Sequence, residues 1–361
     1  MKNFFVFFFV GFMISCANDI TDNKITLDID GAEERVPSIS EVKAIVLETN
    51  DTNLVGAISK VLVRNNHIYI FDRNNGKISI FSIDGRHIST IDRRGAGPQE
   101  YILPIDMDVD KNGNIFVADA SKRNVVVYTP KGKFIKKIEV GRVFTGLGII
   151  DENNIWLANV SEESNLNVKL AFFDVINKKI NTVCSAKVDG EIELPMVSPS
   201  PFFRSGDKLY FYDRFSPYCF SLNNNGIMSD TIKILSEKLP NKQDVEKWVK
   251  QPQSMQTTDK ITGITALYFA DNSMYISFAS QTRNKVLCLN NQKPIVFNSF
   301  NNDRTMHLNQ VIYASYDNYM ISYMPADEFI SNKSFYSADL KAIATNIKPD
   351  SNLIIIMYSF K

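Results

Sequence analysis

The chain has 361 residues, of which 40 are basic and 40 acidic, so its formal net charge at pH 7 is zero. Such neutrality argues against nucleic acid or an anionic membrane surface as a partner. With three histidines and no HExxH or CxxC pattern, the sequence also offers little material for a histidine-rich metal site.

The first 16 residues have the pattern of a lipoprotein export signal. Lys2 precedes an apolar run at 4–14, which is too short to cross a bilayer because a spanning helix needs about 20 residues. A small residue comes directly before Cys16, as lipidation requires. We predict a signal peptide at 1–15, lipidation of Cys16 and a lipidated tether and lead-in at 16–40. An ordinary secretory signal, in which Cys16 is incidental, is the alternative.

An internal repeat begins at the run IYIFD, which ends at Asp72. The run returns as IFVAD ending at Asp119, 47 residues later, and Gly85 returns as Gly132 at the same offset. Each copy continues into further short β-rich runs joined by tight polar turns, which is typical of a propeller blade. For residues 41–361 the sequence therefore predicts an all-β fold, a six-bladed β-propeller with one short helical insertion.

Six copies of the leading strand of the repeat mark the predicted blades. They are IYIFD, IFVAD, IWLAN ending at Asn159, LYFYD ending at Asp213, MYISF ending at Phe278 and YMISY ending at Tyr323. Successive copies are 47, 40, 54, 65 and 45 residues apart. The separation of 65 residues is longer than one blade needs and requires an insertion.

Residues 236–252 supply that insertion as an amphipathic helix. Asn241 with Asp244 three residues later forms a helix start, and Pro252 ends the run. Three apolar residues fall on one face of this helix: Val245, Trp248 and Val249.

The two ends of the chain are both strongly β-prone. Residues 43–48 read KAIVLE and residues 352–360 read NLIIIMYSF. An open propeller leaves unpaired sheet edges, so a strand from one terminus usually completes a blade begun by the other. We expect these two runs to meet in a shared blade.

Together these runs resemble the six-bladed β-propeller lipoproteins of Bacteroidetes, relatives of the NHL-repeat propellers. The segments that carry the resemblance are IVLET at 45–49, LVGAISKV at 54–61, IYIFD, IFSIDG, RRGAGPQEY at 93–101 and the terminal IIIMYSFK. The resemblance implies the fold and an outer-membrane lipoprotein, facing either the periplasm or the cell surface. It implies little about any reaction.

The family's glycine-rich segment is the predicted ligand site. It follows the third strand of the first repeat, at a connection between blades near the central funnel, where propellers often bind ligands. Arginines beside it could pair with a carboxylate, a phosphate or an acidic sugar. The predicted binding residues are Arg93, Arg94, Gly95, Gly97, Pro98 and Glu100. The alternative is a structural Gly-Pro turn in which Glu100 accepts backbone N–H bonds.

Repeated carboxylates and clustered aromatic residues allow two interpretations each. Asp72, Asp119 and Asp213 recur at one blade position, where they cap turns or, alternatively, ring a channel that holds a divalent ion. No other cofactor is predicted. Six aromatic residues pack between blades or, alternatively, stack on sugar rings: Phe202, Phe203, Tyr210, Tyr212, Phe215 and Tyr218. Three cysteines are expected to be buried as small hydrophobic residues: Cys184, Cys219 and Cys288.

Three functions remain open on the sequence. The preferred one is a non-catalytic binding or scaffold lipoprotein for a glycan, peptide or protein partner, because no nucleophile–base arrangement, P-loop or dinucleotide motif is present. The second is a propeller enzyme of the lactonase, lyase or glycan hydrolase type, which requires acids gathered in the funnel: Asp72, Glu100, Asp106, Asp119 or Asp213. The third is a structural subunit of an envelope complex that docks through an apolar patch around Trp248.

Overall fold

The computed structural model describes residues 24–35, 38–51, 53–161, 167–185, 187–188, 192–193, 201–212, 214–270, 273–279, 285–289, 294–297 and 312–360. The predicted signal peptide, Cys16 and Asp213 lie outside these residues.

The described strands form six sheets of four or five strands and one two-stranded ribbon. Three strands come before the first complete sheet: β1 (Lys24–Asp28), β2 (Glu33–Glu34) and β3 (Ile39–Val46). The first sheet contains β4 (Lys60–Arg64), β5 (His67–Asp72), β6 (Lys77–Ser82) and β7 (His87–Asp92). The second contains β8 (Pro104–Val109), β9 (Ile115–Asp119), β10 (Asn124–Tyr128) and β11 (Phe134–Glu139). The third contains β12 (Gly146–Ile149), β13 (Asn154–Ser161), β14 (Asn167–Asp174) and β15 (Lys179–Ser185).

The remaining strands follow in the same order along the chain. The ribbon is formed by β16 (Lys187–Val188) and β17 (Ile192–Glu193). The fourth sheet contains β18 (Phe202–Ser205), β19 (Lys208–Tyr212), β20 (Tyr218–Leu222) and β21 (Met228–Leu235). The fifth contains β22 (Gly263–Ala270), β23 (Ser273–Ala279), β24 (Lys285–Leu289) and β25 (Ile295–Phe297). The sixth contains β26 (Ala314–Tyr316), β27 (Tyr319–Met324) and β28 (Ile354–Phe360).

The six sheets close into a ring. The first strand of each sheet contacts the first strands of both neighbouring sheets, in the cyclic order β4, β8, β12, β18, β22, β26 and back to β4. The fold is therefore a mostly-β propeller with a few short helices, as the sequence repeat predicted. The run that marks each repeat, such as IYIFD, forms the second strand of its sheet. The innermost strand of each sheet precedes that run in the chain.

Both faces of a sheet are buried, which explains the nearly continuous apolar runs in the sequence. In β5, Ile68 and Ile70 pack on one side with residues of the sixth sheet. Tyr69 and Phe71 point to the opposite side and pack with residues of the second sheet, because successive side chains of a strand alternate between its faces. The core is thus a series of apolar layers between consecutive sheets.

The N-terminal strap, residues 24–35 and 38–46, pairs with the outer edges of three consecutive sheets. β1 lies parallel to β21, β2 parallel to β25, and β3 antiparallel to β28. Val46 is opposite Ile354, so the predicted meeting of the chain ends is confirmed. Part of the segment predicted as a lead-in therefore covers sheet edges that are otherwise free to pair with another chain.

The predicted turns between outer strands are also confirmed. Gly85 has a φ of +90°, a conformation that glycine adopts without steric cost. A side chain there would collide with the carbonyl oxygen of Val46, while the Gly85 carbonyl accepts a bond from the Glu48 N–H at 2.8 Å. The turn thus also holds the end of the strap.

The predicted helical insertion is confirmed as α1 (Lys242–Lys250). Asn241 caps it by accepting from the Asp244 N–H, and the Asp244 side chain accepts from the Asn241 N–H in return. Trp248 is buried and lies 6.0 Å from the Phe215 ring. Val245 and Trp248, the residues of the apolar face whose side chains are described, are therefore buried against the propeller and form no exposed patch.

A second helical insertion corrects the prediction of a single one. α2 (Ala326–Ser331) and α3 (Ala338–Asn346) lie between β27 and β28, with one 3-10 helix, Lys333–Phe335, between them; the other 3-10 helix, Pro252–Gln256, follows α1. Phe329 and Leu340 pack into the core of the sixth sheet. The spacing of repeats could not reveal this insertion because it follows the last repeat. Among the described residues, no helix has the length and hydropathy needed to cross a membrane.

Candidate functional site in the central cavity

A cavity of about 600 Å³ lies among the inner strands of the ring. Its walls come mainly from β4, β18, β22 and β26. The aromatic lining residues include Phe203, Tyr212, Tyr268, Tyr313 and Tyr316. The cationic lining residues are Lys60, Arg64 and Arg204. A cavity of this size with a mixed apolar and polar wall is typical of a small-molecule site.

The local sequence of β4 places two cations on one face. In KVLVR, Lys60, Leu62 and Arg64 alternate with valines and so share a side of the strand. The Lys60 Nζ donates to Asp106 Oδ1 and to the Met107 carbonyl oxygen, both at 2.7 Å. Burial raises the pKa of Asp106 despite the lysine beside it.

Asp108, two residues further along β8, pairs with Arg204. The Arg204 Nη2 donates to Asp108 Oδ2 at 2.7 Å and also to the Ile149 carbonyl oxygen. Burial alone would raise the pKa of Asp108, but the charges of Arg204 and Lys60 and the N–H groups of Ile149 and Val109 together lower it. Asp108 is therefore an ionised carboxylate held inside the ring.

Arg64 has weaker partners than Arg204. Its Nη1 donates to the Val109 carbonyl oxygen at 2.7 Å, and its Nη2 to Asp207 Oδ1 at 3.1 Å. The side chain of Asp207 is 94% exposed, so water screens this ion pair. Burial, followed by the charge of Arg204, lowers the pKa of Arg64.

Buried cations outnumber buried carboxylates among these described residues. The side chains of Lys60, Arg64 and Arg204 are 11 or 12% exposed, and the carboxylates paired with them at similar burial are Asp106 and Asp108. In addition, the Nε and Nη1 of Arg204 are buried without a hydrogen-bond partner. Unmet buried donors are costly, so this side of the cavity favours an added anionic or hydrogen-bond-accepting group.

The glycine loop, residues 93–101, is an inter-blade connection between β7 and β8, as predicted, but it does not line this cavity. Lys122 Nζ donates to three of its carbonyl oxygens, those of Gly95, Gly97 and Glu100. The Glu100 carboxylate accepts the Gly97 N–H at 2.8 Å, and a Cβ on Gly95 would lie 2.1 Å from it. Internal contacts thus account for both glycines and for Glu100.

The two arginines of the glycine loop point to solvent. Arg93 and Arg94 are exposed, and Arg94 Nη2 reaches the carbonyl oxygens of Arg73 and Asn74 at 3.5 and 3.2 Å. Pro98 is exposed in the same loop. The predicted ligand-binding role of these residues stays a prediction.

The repeated aspartates cap turns, which was the first of the two interpretations. Asp119 accepts the N–H groups of Ile102, Leu103 and Ser121 at 2.8 to 3.1 Å. Asp72 accepts from the backbone and side chain of Asn75. Asp213 lies outside the described residues. Within the described part of the chain, no three histidine, cysteine or acidic side chains come together as a metal site.

The predicted aromatic group is largely core, although part of it also lines the cavity. Phe202, Tyr210 and Tyr212 are buried, and Tyr210 stacks on Phe269 at 4.7 Å between ring centroids. Phe203 lies 4.9 Å from Tyr212 and, like it, lines the cavity. The predicted burial of Cys219 is confirmed, whereas the side chains of Cys184 and Cys288 lie outside the described part.

The cavity cations were not predicted from the sequence, because the repeat marks the second strand of each sheet and not the inner one. A usable signal was present: Lys60 with Arg64, and Asp106 with Asp108, recur at even spacing in the short run before a repeat anchor. Charges on alternate residues of a buried strand point to one face. Arg204 had no such regularity.

Comparison with known proteins identifies a family but no activity. A family described as a domain of unknown function, DUF4934, matches residues 32–359. The chain belongs to this family. A putative exported protein from Bacteroides fragilis is 15% identical to this DUF4934 chain, with a TM-score of 0.78 over 94% of this chain and 99% of that one.

A second solved structure is a DUF4221 family member from Bacteroides vulgatus. It is 11% identical, with a TM-score of 0.52 over 90% of this chain and 97% of that one. At these identities the likeness of the DUF4934 chain to both proteins shows the fold alone. No curated protein matches the chain.

Proposed function

We propose that this DUF4934 protein is a six-bladed, extracytoplasmic propeller that binds a small ligand, free or as part of a glycan or peptide, in its central cavity without transforming it. The observation that carries the proposal is the 600 Å³ cavity walled by inner strands, aromatic rings and buried cations. The six sheets whose inner strands form a closed ring support the blade number.

Four of the five carboxylates named for the enzyme alternative have separate structural partners, which favours binding over catalysis; the fifth, Asp213, lies outside the described residues. Asp72 and Asp119 cap turns, Glu100 holds the glycine loop, and Asp106 pairs with Lys60. A general acid or base needs access to the reacting group. Their side chains instead stabilise turns, a loop and an inner strand.

A substitution that fills the cavity tests the proposal. Thr265 lies on β22, lines the cavity and is exposed, so Thr265→Trp places an indole in the ligand space. Thr182→Trp makes the same change at an exposed position of the outer strand β15. Native mass spectrometry of protein purified from the cell envelope should show a small-molecule adduct on the wild type and Thr182→Trp, but not on Thr265→Trp. An adduct retained by Thr265→Trp would remove the cavity as the site.

We also propose that the mature chain begins at Cys16 and is held in the outer membrane by lipid. The support is the sequence pattern of residues 1–16 and the likeness to a putative exported protein. Labelled palmitate should mark the wild type but not Cys16→Ser, and only the wild type should partition into detergent. Equal labelling of both proteins would refute lipidation at this cysteine.

A further inference from the structure

We propose that the ligand of the central cavity is an organic anion whose carboxylate or phosphate group lies against Arg64 and Arg204. This inference rests on the proposed binding function and adds the chemical class of the ligand.

The distribution of charge is the first argument. Three cationic side chains lie largely buried at the wall of the cavity, and the buried carboxylates that form ion pairs with them are Asp106 and Asp108. Asp110 is buried as well, but it accepts the N–H groups of Asn112 and Asn114 in its own turn. Asp106 and Asp108 each already have a lysine or arginine at 2.7 Å. Arg64 therefore shares the charge of Asp108 with Arg204, and its own hydrogen-bonded carboxylate, Asp207, is exposed.

The partner that Arg64 does have is easily displaced. Asp207 lies in the turn between β18 and β19 and is almost fully exposed, so its attraction for Arg64 is screened by water. Asp317, also at the wall, is exposed as well. An anion inside the ring would be less solvated than either carboxylate and would interact more strongly with the two guanidinium groups.

The unmet donors of Arg204 are the second argument. Its Nη2 is fully used by Asp108 and the Ile149 carbonyl oxygen, yet Nε and Nη1 are buried without a partner. Native proteins rarely leave such donors unsatisfied. A small shift of the guanidinium toward a bound carboxylate or phosphate would give these nitrogens acceptors.

The aromatic part of the cavity wall indicates the chemical character of the rest of the ligand. The rings of Phe203, Tyr212, Tyr268 and Tyr313 line the same cavity. Aromatic faces pack well on apolar groups and on other rings. The ligand class that fits both halves of the wall is a ring-bearing acid, such as a uronic acid or an aryl phosphate.

Matched charged and neutral probes test the inference by isothermal titration calorimetry. The probes are D-glucuronate with D-glucose, phenyl phosphate with phenol, and inorganic phosphate alone. At least one organic anion should bind, and its neutral counterpart should bind about tenfold more weakly or not at all. Inorganic phosphate should bind more weakly than phenyl phosphate, because it lacks a ring.

Variants of Arg64 test whether its charge binds the anion. Arg64→Gln keeps a donor for the Val109 carbonyl oxygen but loses the charge, so anion affinity should fall about tenfold. Arg64→Lys, which retains the charge, should recover part of it. Arg86→Gln changes an exposed arginine at a remote outer turn and should bind as the wild type does. Circular dichroism and the melting temperature establish that each variant is folded.

The outcomes separate this inference from the function on which it rests. Equal affinity for charged and neutral probes, no anion binding, or unchanged anion affinity in Arg64→Gln would overturn the anion assignment. If a neutral probe binds and Thr265→Trp is the one variant that abolishes its binding, the proposed cavity function stands and the assignment of an anionic ligand is wrong. If Thr265→Trp binds the anion as the wild type does, the cavity function fails as well.

Discussion

Two regions of this propeller contain a pair of arginines each, but they differ in the burial of these arginines and in how their polar groups are satisfied. In the glycine loop, Arg93 and Arg94 are exposed and surround a segment that satisfies its own polar groups through Lys122 and Glu100. In the central cavity, the side chains of Arg64 and Arg204 are largely buried, and two guanidinium nitrogens of Arg204 have no hydrogen-bond partner.

The difference shows that a conspicuous motif can be fully explained by local folding. The glycines of the loop are needed because the Glu100 carboxylate lies against their backbone. The cavity has no motif, since its cations come singly from strands that are distant in sequence. We therefore base the proposed ligand site on the unsatisfied buried donors and not on a residue pattern.

The largest effect is expected from breaking the buried ion pair. Asp108→Ala leaves Arg204 in the ring without its carboxylate, which should destabilise the fold by about 3 to 5 kcal/mol. Asp207→Ala removes the exposed partner of Arg64 and should change stability little. Urea unfolding of both variants measures the contrast. Similar losses in the two would mean that burial does not distinguish these pairs.

Acid unfolding should depend on Asp108 in a defined direction. Because its pKa is lowered in the folded state, Asp108 contributes stability above its unfolded pKa of about 4 that is lost as pH falls through the folded value. Asp108→Asn should therefore lose less stability between about pH 5 and 3 than the wild type does.

Asp106→Asn is the matched control for that experiment. Burial raises the pKa of Asp106, so the stability that this group contributes is present at low pH and is lost as pH rises through the folded pKa. On acidification this gain partly offsets the stability that the wild type loses through other groups. The variant should lose at least as much stability on acidification as the wild type. A smaller loss of stability on acidification in Asp106→Asn than in the wild type would contradict the opposite pKa shifts of the two aspartates.

A smaller effect is expected in the glycine loop. Lys122→Met removes the ammonium group that holds three loop carbonyls, which should cost about 2 kcal/mol because hydrogen bonds to charged groups contribute more than neutral ones. Amide hydrogen exchange of Gly95 and Gly97 should become faster. The control Lys133→Met changes an exposed lysine in the turn between β10 and β11 and should leave this exchange unchanged. Unaltered exchange in Lys122→Met would show that the loop is held by other contacts.

The smallest effect is expected at the exposed arginines. Arg93→Ala and Arg94→Ala should leave the melting temperature unchanged, because neither side chain is buried. Calorimetry with the organic anion that binds the wild type should show affinity within about twofold. A loss comparable to that of Arg64→Gln would restore the glycine loop as a binding surface and reverse the ranking of the two regions.

The repeat could be predicted because its second strands carry bulky β-branched and aromatic residues on both faces. Runs such as IYIFD and IFVAD are buried between two layers and therefore stand out in the sequence. The same reasoning predicted α1, since Asn241 and Asp244 encode its capping box locally.

The inner strands could not be predicted because close packing and ion pairs with distant residues determine their sequences. GLGI in β12 needs small residues: a Cβ on Gly148 would lie 2.9 Å from the Leu209 side chain and 3.0 Å from Phe202. PIDMDV in β8 buries two carboxylates whose partners, Lys60 and Arg204, are 46 and 96 residues away. The even spacing of these charges marks one face of a strand but does not show which strands meet across the ring, so the candidate site could be assembled only from the structure.

The N-terminal strap makes completion of the ring depend on the last residues of the chain. β3 joins the sixth sheet only when β28, some 300 residues later, is available to pair with it. Contacts of such long sequence separation form slowly, because a large loop must close before they are gained. A protein lacking residues 354–360 has no β28, so β27 and β3 would lose their common partner and leave unpaired edges that can associate with neighbouring molecules.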